Sequence, residues 1–347
     1  MYLSINNYTF WEEGKMAKRS PKALLLFSGG LDSLLAGEVL RRNGVQVTCL
    51  TFTAPFLASE KAVSAARLYD YPLIIAPLPE RVYINLLLNP PHGFGKYMNP
   101  CIDCHALMLK TAGNMMKQRG YDFLATGEVA GERPKSQTIA ALRRVDEASG
   151  FGDYILRPLS AKLLPPTAPE REGLIDRNRL LAISGRGRKV QIALAQEWHI
   201  KKYPSPAGGC PLTEKLFSLK LRRFMKAFEG QISFFHIALL RVGRHFLLPP
   251  KAHLVIGRDM KENKRLLQLR LPWMWLVNPI NVKGPVALLY SRDGLLTQEN
   301  FEVSARFVAR YSDHEGDPVR ILMTSEEDRL NIVTKPAHPA ELEKFRI

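Results

Sequence analysis

From Lys22 onward the hydrophobic and polar positions fall into short alternating blocks. An apolar run, residues 23–27, meets Ser28-Gly29-Gly30, and then Leu34, Leu35, Val39 and Leu40 recur at helical spacing until Gly44. The pattern predicts a strand, a glycine-rich turn and a helix. Residues 45–52 form a second β-branched apolar run, 59–69 a polar–apolar helix and 72–78 a third short strand. A Pro- and Gly-rich loop over 89–100 precedes a helix at 102–119, a strand at 123–126, a helix near 136–144 and a strand ending at Ile155-Leu156. Short buried strands alternating with helices imply an α/β fold, a doubly wound parallel sheet with helices on both faces.

The next stretch is less regular. Pro165-Pro166 and Pro169 break it before the basic segment Arg186-Gly187-Arg188-Lys189 opens a helix towards Trp198. Pro204, Pro206, Gly208, Gly209 and Pro211 then form a stiff turn around Cys210. The 347 residues exceed one ordinary domain at about 150 residues each. The expected division is a leader at 1–21, with Met1 or Met16 as the start, a first domain at 22–215 and a smaller α+β domain at 216–347.

Charge sharpens this division. The chain carries 49 Lys and Arg against 33 Asp and Glu, a net +16, which either attracts a polyanion or serves solubility. Residues 216–270 hold twelve basic and three acidic residues, whereas 272–347 hold nine and eleven. The positive charge of the second domain therefore sits in its first half, as a nucleic-acid face requires. No apolar run approaches the roughly 18 residues of a membrane span, and Trp11, Glu12, Glu13 and Lys15 stand where a signal peptide needs an apolar stretch. Four cysteines are too few for a disulfide scaffold, so a reducing cytoplasm is expected.

Two constellations carry chemistry. In Ser28-Gly29-Gly30-Leu31-Asp32-Ser33 the backbone N–H groups and the following helix N-terminus can converge on an anion, with two hydroxyls as further donors. Asp32 would repel phosphate unless Mg²⁺ lies between them or the carboxylate orients the loop. The second constellation is Asn99-Pro100-Cys101-Ile102-Asp103-Cys104 at a helix start, with Cys210 after Ala207-Gly208-Gly209. Four readings compete: Cys101, Cys104 and Cys210 hold a [4Fe-4S] cluster with one iron open to sulfide; they work metal-free through a persulfide and a resolving thiol; they hold zinc with His105 or another fourth ligand; or Cys210 is a small buried hydrophobe and the C-x-x-C acts alone. Cys49, inside the second strand, reads as core.

Ser-Gly-Gly-x-Asp-Ser resembles the PP-loop of the ATP pyrophosphatases, an adenine nucleotide alpha hydrolase-like fold whose members cleave ATP between the α and β phosphates and adenylate a substrate oxygen. The resemblance implies an adenosine site at the ends of the second and fourth strands, here Phe52-Thr53 and Thr126-Gly127. Thr126-Gly127-Glu128, Ser136-Gln137-Thr138, Leu142 and Leu156-Arg157-Pro158-Leu159 are similar to the ordered motifs of tRNA sulfurtransferases of the 4-thiouridine synthetase type. The Asn-Pro-Cys and Gly-Gly-Cys pairings are similar to those of tRNA 2-thiouridylases. This implies ATP and Mg²⁺ as cofactors, tRNA as partner, and sulfur from sulfide, a cysteine desulfurase or a sulfur carrier. Glu128 and Gln137 would line the pocket, and Arg157 or Lys135 would contact RNA phosphates.

The usual N-terminal RNA-binding module of the synthetases does not fit before a loop at Ser28. In its place, Leu240-Arg241-Val242-Gly243-Arg244, Val255-Ile256-Gly257-Arg258-Asp259, Glu262-Asn263 and Leu266 look like the RNA-binding domain of NFACT proteins. That makes Arg241, Arg244 and Arg258 the expected RNA contacts, against a dimerisation domain with a solvated basic face. Two rivals to thiolation remain from the sequence: an amide-forming ligase of the same superfamily, which needs no three cysteines, and an RNA- or ribosome-binding factor whose loop only senses nucleotide.

Overall fold

The structure is a computed structural model that describes residues 19–204 and 210–347. Met1, Met16, most of the leader and Ala207-Gly208-Gly209 lie outside the described residues.

The first half of the chain runs β1 (Lys22–Leu26), α1 (Leu31–Arg42), β2 (Gln46–Thr53), α2 (Glu60–Leu68), β3 (Leu73–Pro77), α3 (Glu80–Leu88), α4 (Cys101–Arg119), β4 (Phe123–Thr126), α5 (Ile139–Ser149) and β5 (Ile155–Leu156). The short α6 (Ala168–Arg171) and α7 (Lys189–Glu197) follow. The five strands are parallel in the order β3-β2-β1-β4-β5. The chain leaves β1 outward to β3 and returns to β4 on β1's other side, so the loop after β1 opens at the switch point where such sheets bind ligands. Ala23, Leu24 and Leu25 are wholly buried, as a strand covered on both faces must be.

Two predicted boundaries move. The helix expected from Ser136 starts at Ile139, because Thr138 caps it by accepting from Ala141 N at 3.1 Å, and it runs on to Ser149. α3 was not predicted: Glu80–Leu88 follows Pro79 and buries Tyr83, Ile84 and Leu87.

The second half contains α8 (Lys215–Ala227), α9 (Phe234–Leu239), β6 (Arg244–Leu248), β7 (Ala252–Ile256), α10 (Met260–Leu269), β8 (Trp275–Pro279), β9 (Ala287–Ser291), α11 (Gln298–Arg310), β10 (Val319–Thr324), β11 (Arg329–Thr334) and α12 (Pro339–Phe345). Its six strands form an antiparallel sheet ordered β11-β10-β8-β9-β7-β6, which is the expected α+β character.

The two halves share a core. One continuous apolar cluster runs from Leu24, Leu50 and Phe56 through Phe217, Leu221, Phe224 and Phe228 to Val255, Leu288 and Tyr290. Polar ties reinforce it: Phe234 N donates to Glu80 Oε1 at 2.7 Å, and Arg241 donates to the Pro55 carbonyl at 2.7 Å.

Candidate functional site

A cavity of about 690 Å³ opens over the carboxyl ends of β1, β2 and β4. Ser28, Gly30, Asp32 and Ser33 line it from the loop and the start of α1, and Phe52, Gly127 and Glu128 from the neighbouring strand ends. Gly29 does not line it but shapes the turn. Its φ is +73°, and a Cβ there would stand 2.4 Å from the Lys61 carbonyl oxygen. Gly127 serves close approach: a Cβ would come within 2.6 Å of Ser33 N, so the end of β4 lies directly on the first turn of α1. Thr53 is not part of the cavity wall; its carbonyl accepts from Leu78 N at 3.0 Å.

The loop is organised by its own hydroxyls. Ser33 Oγ donates to the Gly30 carbonyl at 2.8 Å, and Gly30 N donates to Ser28 Oγ at 3.3 Å. Burial pushes the Asp32 carboxyl up, with the charges of Arg188 and Arg133 opposing the rise. Among the described residues, Asp32 Oδ1, Arg188 Nε, Gln137 Oε1 and both polar side-chain atoms of the fully buried Gln191 have no hydrogen-bond partner. Asp32, Gln137 and Arg188 face the cavity, and Gln191 lies on the first turn of α7 beside Asp32. Buried polar atoms are rarely left unpaired without a ligand or water to meet them. Carboxylate, amide and guanidinium groups gathered over a glycine-rich loop and a helix N-terminus suit a polyphosphate and its cation.

Arg188 and Arg133 were not singled out as site residues from the sequence, where Arg188 is one charge in a basic run. Only the fold carries α7 back over the loop. Glu132 lines the same wall, its carboxyl raised by burial and by Asp32.

Beneath the cavity floor is a buried charge chain. His105 Nδ1 meets Glu128 Oε1 at 2.8 Å, Arg157 Nε donates to Glu128 Oε2 at 3.0 Å, and the Arg157 fork reaches Asp146 at 2.7 and 2.9 Å. Burial alone would raise the Glu128 carboxyl, but Arg157 and then His105 overrule it and hold it at about 2. Arg157 is 3% exposed. The expected RNA contact at Arg157 is therefore wrong: this guanidinium braces the pocket from within and cannot reach a phosphate outside. Lys135 is exposed and Gln137 lines the cavity.

Cys101 opens α4, one residue earlier than expected, and Asn99 Nδ2 donates to its Sγ at 3.3 Å. Asp103 fastens the preceding loop by accepting from His92 N at 3.1 Å and from its ring at 2.6 Å. Burial, and then the neighbouring Cys210 and Cys101, push the Cys104 thiol up to about 12. Cys210 is raised by burial and by Cys101. The fold thus brings Cys101, Cys104 and Cys210 within reach of one another's charge, while Cys49 is fully buried in β2. His105 is engaged with Glu128 and lines the cavity just after the thiols. Three soft donors suit an iron–sulfur cluster chemically, although among the described residues no three His, Cys, Asp or Glu side chains stand as a formed metal-ligand group.

In the second half, Arg258 is paired with Glu262 through Nε at 2.9 and 3.0 Å. Asp259 caps α10 by accepting from Glu262 N at 2.9 Å, and Asn263 Oδ1 accepts from Val286 N at 3.1 Å. Much of that motif therefore has a structural job. Arg241 ties the two halves together, and Arg244 lies over the Tyr311 ring at 4.3 Å.

Fold and site together define an α/β unit with a Ser-Gly-Gly-x-Asp-Ser loop at its sheet's switch point, fused to a basic α+β unit. Residues 243–346 match the family model of the NFACT protein RNA binding domain. The chain is 30% identical over 159 residues to a tRNA sulfurtransferase of Desulfurococcus amylolyticus, covering 40% of this chain and 30% of that protein. It is 29% identical over 162 residues to a tRNA-specific 2-thiouridylase of Syntrophus aciditrophicus, covering 41% and 42%. A solved 4-thiouridine synthetase–RNA complex with bound ATP is 27% identical, with a TM-score of 0.33 and coverage of 40% and 36%. The chain is thus similar to tRNA sulfurtransferases in its first half and to the NFACT RNA binding domain in its second, and it spans less than half the length of these two curated relatives. Among the described residues no helix is long and apolar enough to cross a membrane.

Proposed function

We propose that this chain is an ATP-dependent tRNA-thiolating enzyme that adenylates a uridine carbonyl oxygen and replaces it with sulfur. One observation carries the reading: the Ser28–Ser33 loop at the sheet's switch point lines a 690 Å³ cavity that His105 also lines, one residue after Cys104, whose thiol stands within charge range of Cys101 and Cys210. An amide-forming ligase has no use for the thiols.

The uridine oxygen is a poor leaving group. Backbone N–H groups of Gly29 and Gly30, with Ser28 and Ser33, would hold the ATP phosphates so that this oxygen attacks the α phosphorus and pyrophosphate departs. Asp32 would hold Mg²⁺, and Arg188 with Arg133 would take up negative charge on the departing pyrophosphate. Phe52 and Gly127 would bound the adenosine. Sulfur then attacks the activated carbon and AMP leaves, giving a C=S group. Cys101, Cys104 and Cys210 would either hold a [4Fe-4S] cluster, which when bound supplies an open iron for sulfide, or carry a persulfide charged by a desulfurase or sulfur carrier, whose S–S bond a second of these cysteines cleaves to leave a disulfide for an external thiol to reduce.

The test is to incubate the protein with ATP, Mg²⁺, unmodified tRNA and sulfide under anaerobic conditions. Pyrophosphate and AMP should form only when tRNA is present, and nucleoside mass spectrometry should show one thiouridine. RNA binding without either product would leave a nucleotide-sensing RNA-binding factor and overturn the proposal.

A further inference from the structure

We propose that helix α8 is an RNA rail: Lys215, Arg222 and Lys226 hold phosphates of one RNA strand and lead it to the cavity mouth. This rests on RNA being the substrate, but assigns its binding to an element outside the residues matched by the RNA-binding family, 243–346.

α8 carries Lys215, Lys220, Arg222, Arg223 and Lys226 and no acidic residue within its 13 positions. Phe217, Leu221 and Phe224 on one face are buried in the shared core. Lys215, Arg222 and Lys226 are seven and four residues apart, so they fall in a single stripe on the opposite face, with exposed Leu219 between them. Among the described residues, none of the three is in an ion pair. A stripe of unneutralised charge matches a line of phosphates.

The position of α8 gives the rail a destination. Near its start, the Phe217 ring meets Phe56 at 5.5 Å, and Phe56 lines the cavity. Ser218 Oγ donates to the Leu212 carbonyl at 2.9 Å, just after Cys210. Eleven residues after Phe217, about 17 Å along the helix, Phe228 meets Tyr290 of the second sheet at 6.0 Å. Lys220 lies 5.6 Å from the Phe217 ring centre, and burial together with Arg258 brings its ammonium down to about 8. Lys220 of α8 is thus within charge range of Arg258, and α10, which begins two residues after Arg258, carries exposed Lys261, Lys264 and Arg265.

Basic helices also bind anionic bilayers, but such a helix must offer its apolar face to the acyl chains. The apolar face of α8 is inside the protein, leaving a cationic surface suited to RNA backbone.

The experiment compares wild type with a Lys215→Gln, Arg222→Gln, Lys226→Gln variant in binding unmodified tRNA between about 50 and 200 mM salt. Loss of three phosphate contacts should lower the slope of log affinity against log salt by about two to three, so that wild type loses roughly 20- to 40-fold more affinity than the variant across that range. Arg67→Gln, Lys117→Gln, Arg119→Gln, which removes the same charge from exposed helix ends outside both α8 and residues 243–346, should leave the slope unchanged, and Lys215→Arg, Arg222→Lys, Lys226→Arg should restore it. Matching thermal melts establish that the variants are folded. Equal slopes for both neutralised variants, or a loss confined to phosphatidylserine vesicle binding, would overturn the rail. If the slope falls as expected but tRNA elicits no pyrophosphate, the rail stands and the thiolation reading fails.

Discussion

Arg157 donates its Nε to Glu128 Oε2 over 3.0 Å where their side chains are only 3% and 10% exposed. The same guanidinium engages Asp146, so its removal strands two carboxylates in the interior. Arg157→Met should lower folding stability by about 3–5 kcal/mol, read from urea unfolding. Combining it with Glu128→Gln should cost less than the two single losses added together, because the stranded charge is then removed.

Asp32 and Arg188 face one cavity without satisfying each other's buried atoms. Asp32→Ala should abolish tRNA-dependent AMP formation while tRNA affinity stays within about twofold, a change of less than half a kcal/mol. Arg188→Gln should weaken ATP and inorganic pyrophosphate binding by about tenfold or more, on the scale of a lost charge-assisted hydrogen bond, and leave AMP binding unchanged. Calorimetric titration of the three ligands checks this; an equal loss for AMP would assign Arg188 to the fold instead.

The convergence of Cys101, Cys104 and Cys210 makes the sulfur route testable by colour. Protein purified without oxygen should be brown if a cluster is held, and Cys101→Ala should bleach it together with thiolation. Colourless protein that thiolates tRNA from a persulfide donor would select the metal-free route.

The second unit buries a cluster of histidines. His245 Nδ1 meets His253 Nε2 at 3.1 Å, and His253 Nδ1 meets the Tyr290 hydroxyl at 2.7 Å. Burial holds His245 and His253 well below the ordinary value and His236 at about 4. In the unfolded chain these rings take up protons near pH 6.5, so the unfolded state binds more protons below that point. Their contribution to stability is complete above about pH 6.5 and is lost as pH falls towards about 4. Urea midpoints measured across that interval should fall with acid, and His253→Gln should flatten the fall.

The first sheet was legible because each buried strand is a compact apolar run bounded by Gly or Pro, and the loop because its six residues sit between a strand and a helix. Residues that act through tertiary placement were not. Arg157 follows a short apolar strand and Arg188 sits in a basic run, and neither neighbourhood names a partner; folding puts one inside a carboxylate pair and the other over the glycine-rich loop. Arg241, Arg244 and Arg258 carry a motif whose charges partly serve the fold, while the α8 stripe shows only once Phe217, Leu221 and Phe224 are known to face inward. The helix Glu80–Leu88 was missed because its apolar end resembles a strand when the burial of Tyr83 is unknown.

The apolar cluster that joins Leu24 to Tyr290 has a consequence for how a substrate must behave. Both sheets pack into one interior, so under the thiolation proposal adaptation to a folded RNA would fall to the nucleic acid: a target base would leave its stack and swing into the cavity, which would favour nucleotides in loops and bulges over those in paired stems.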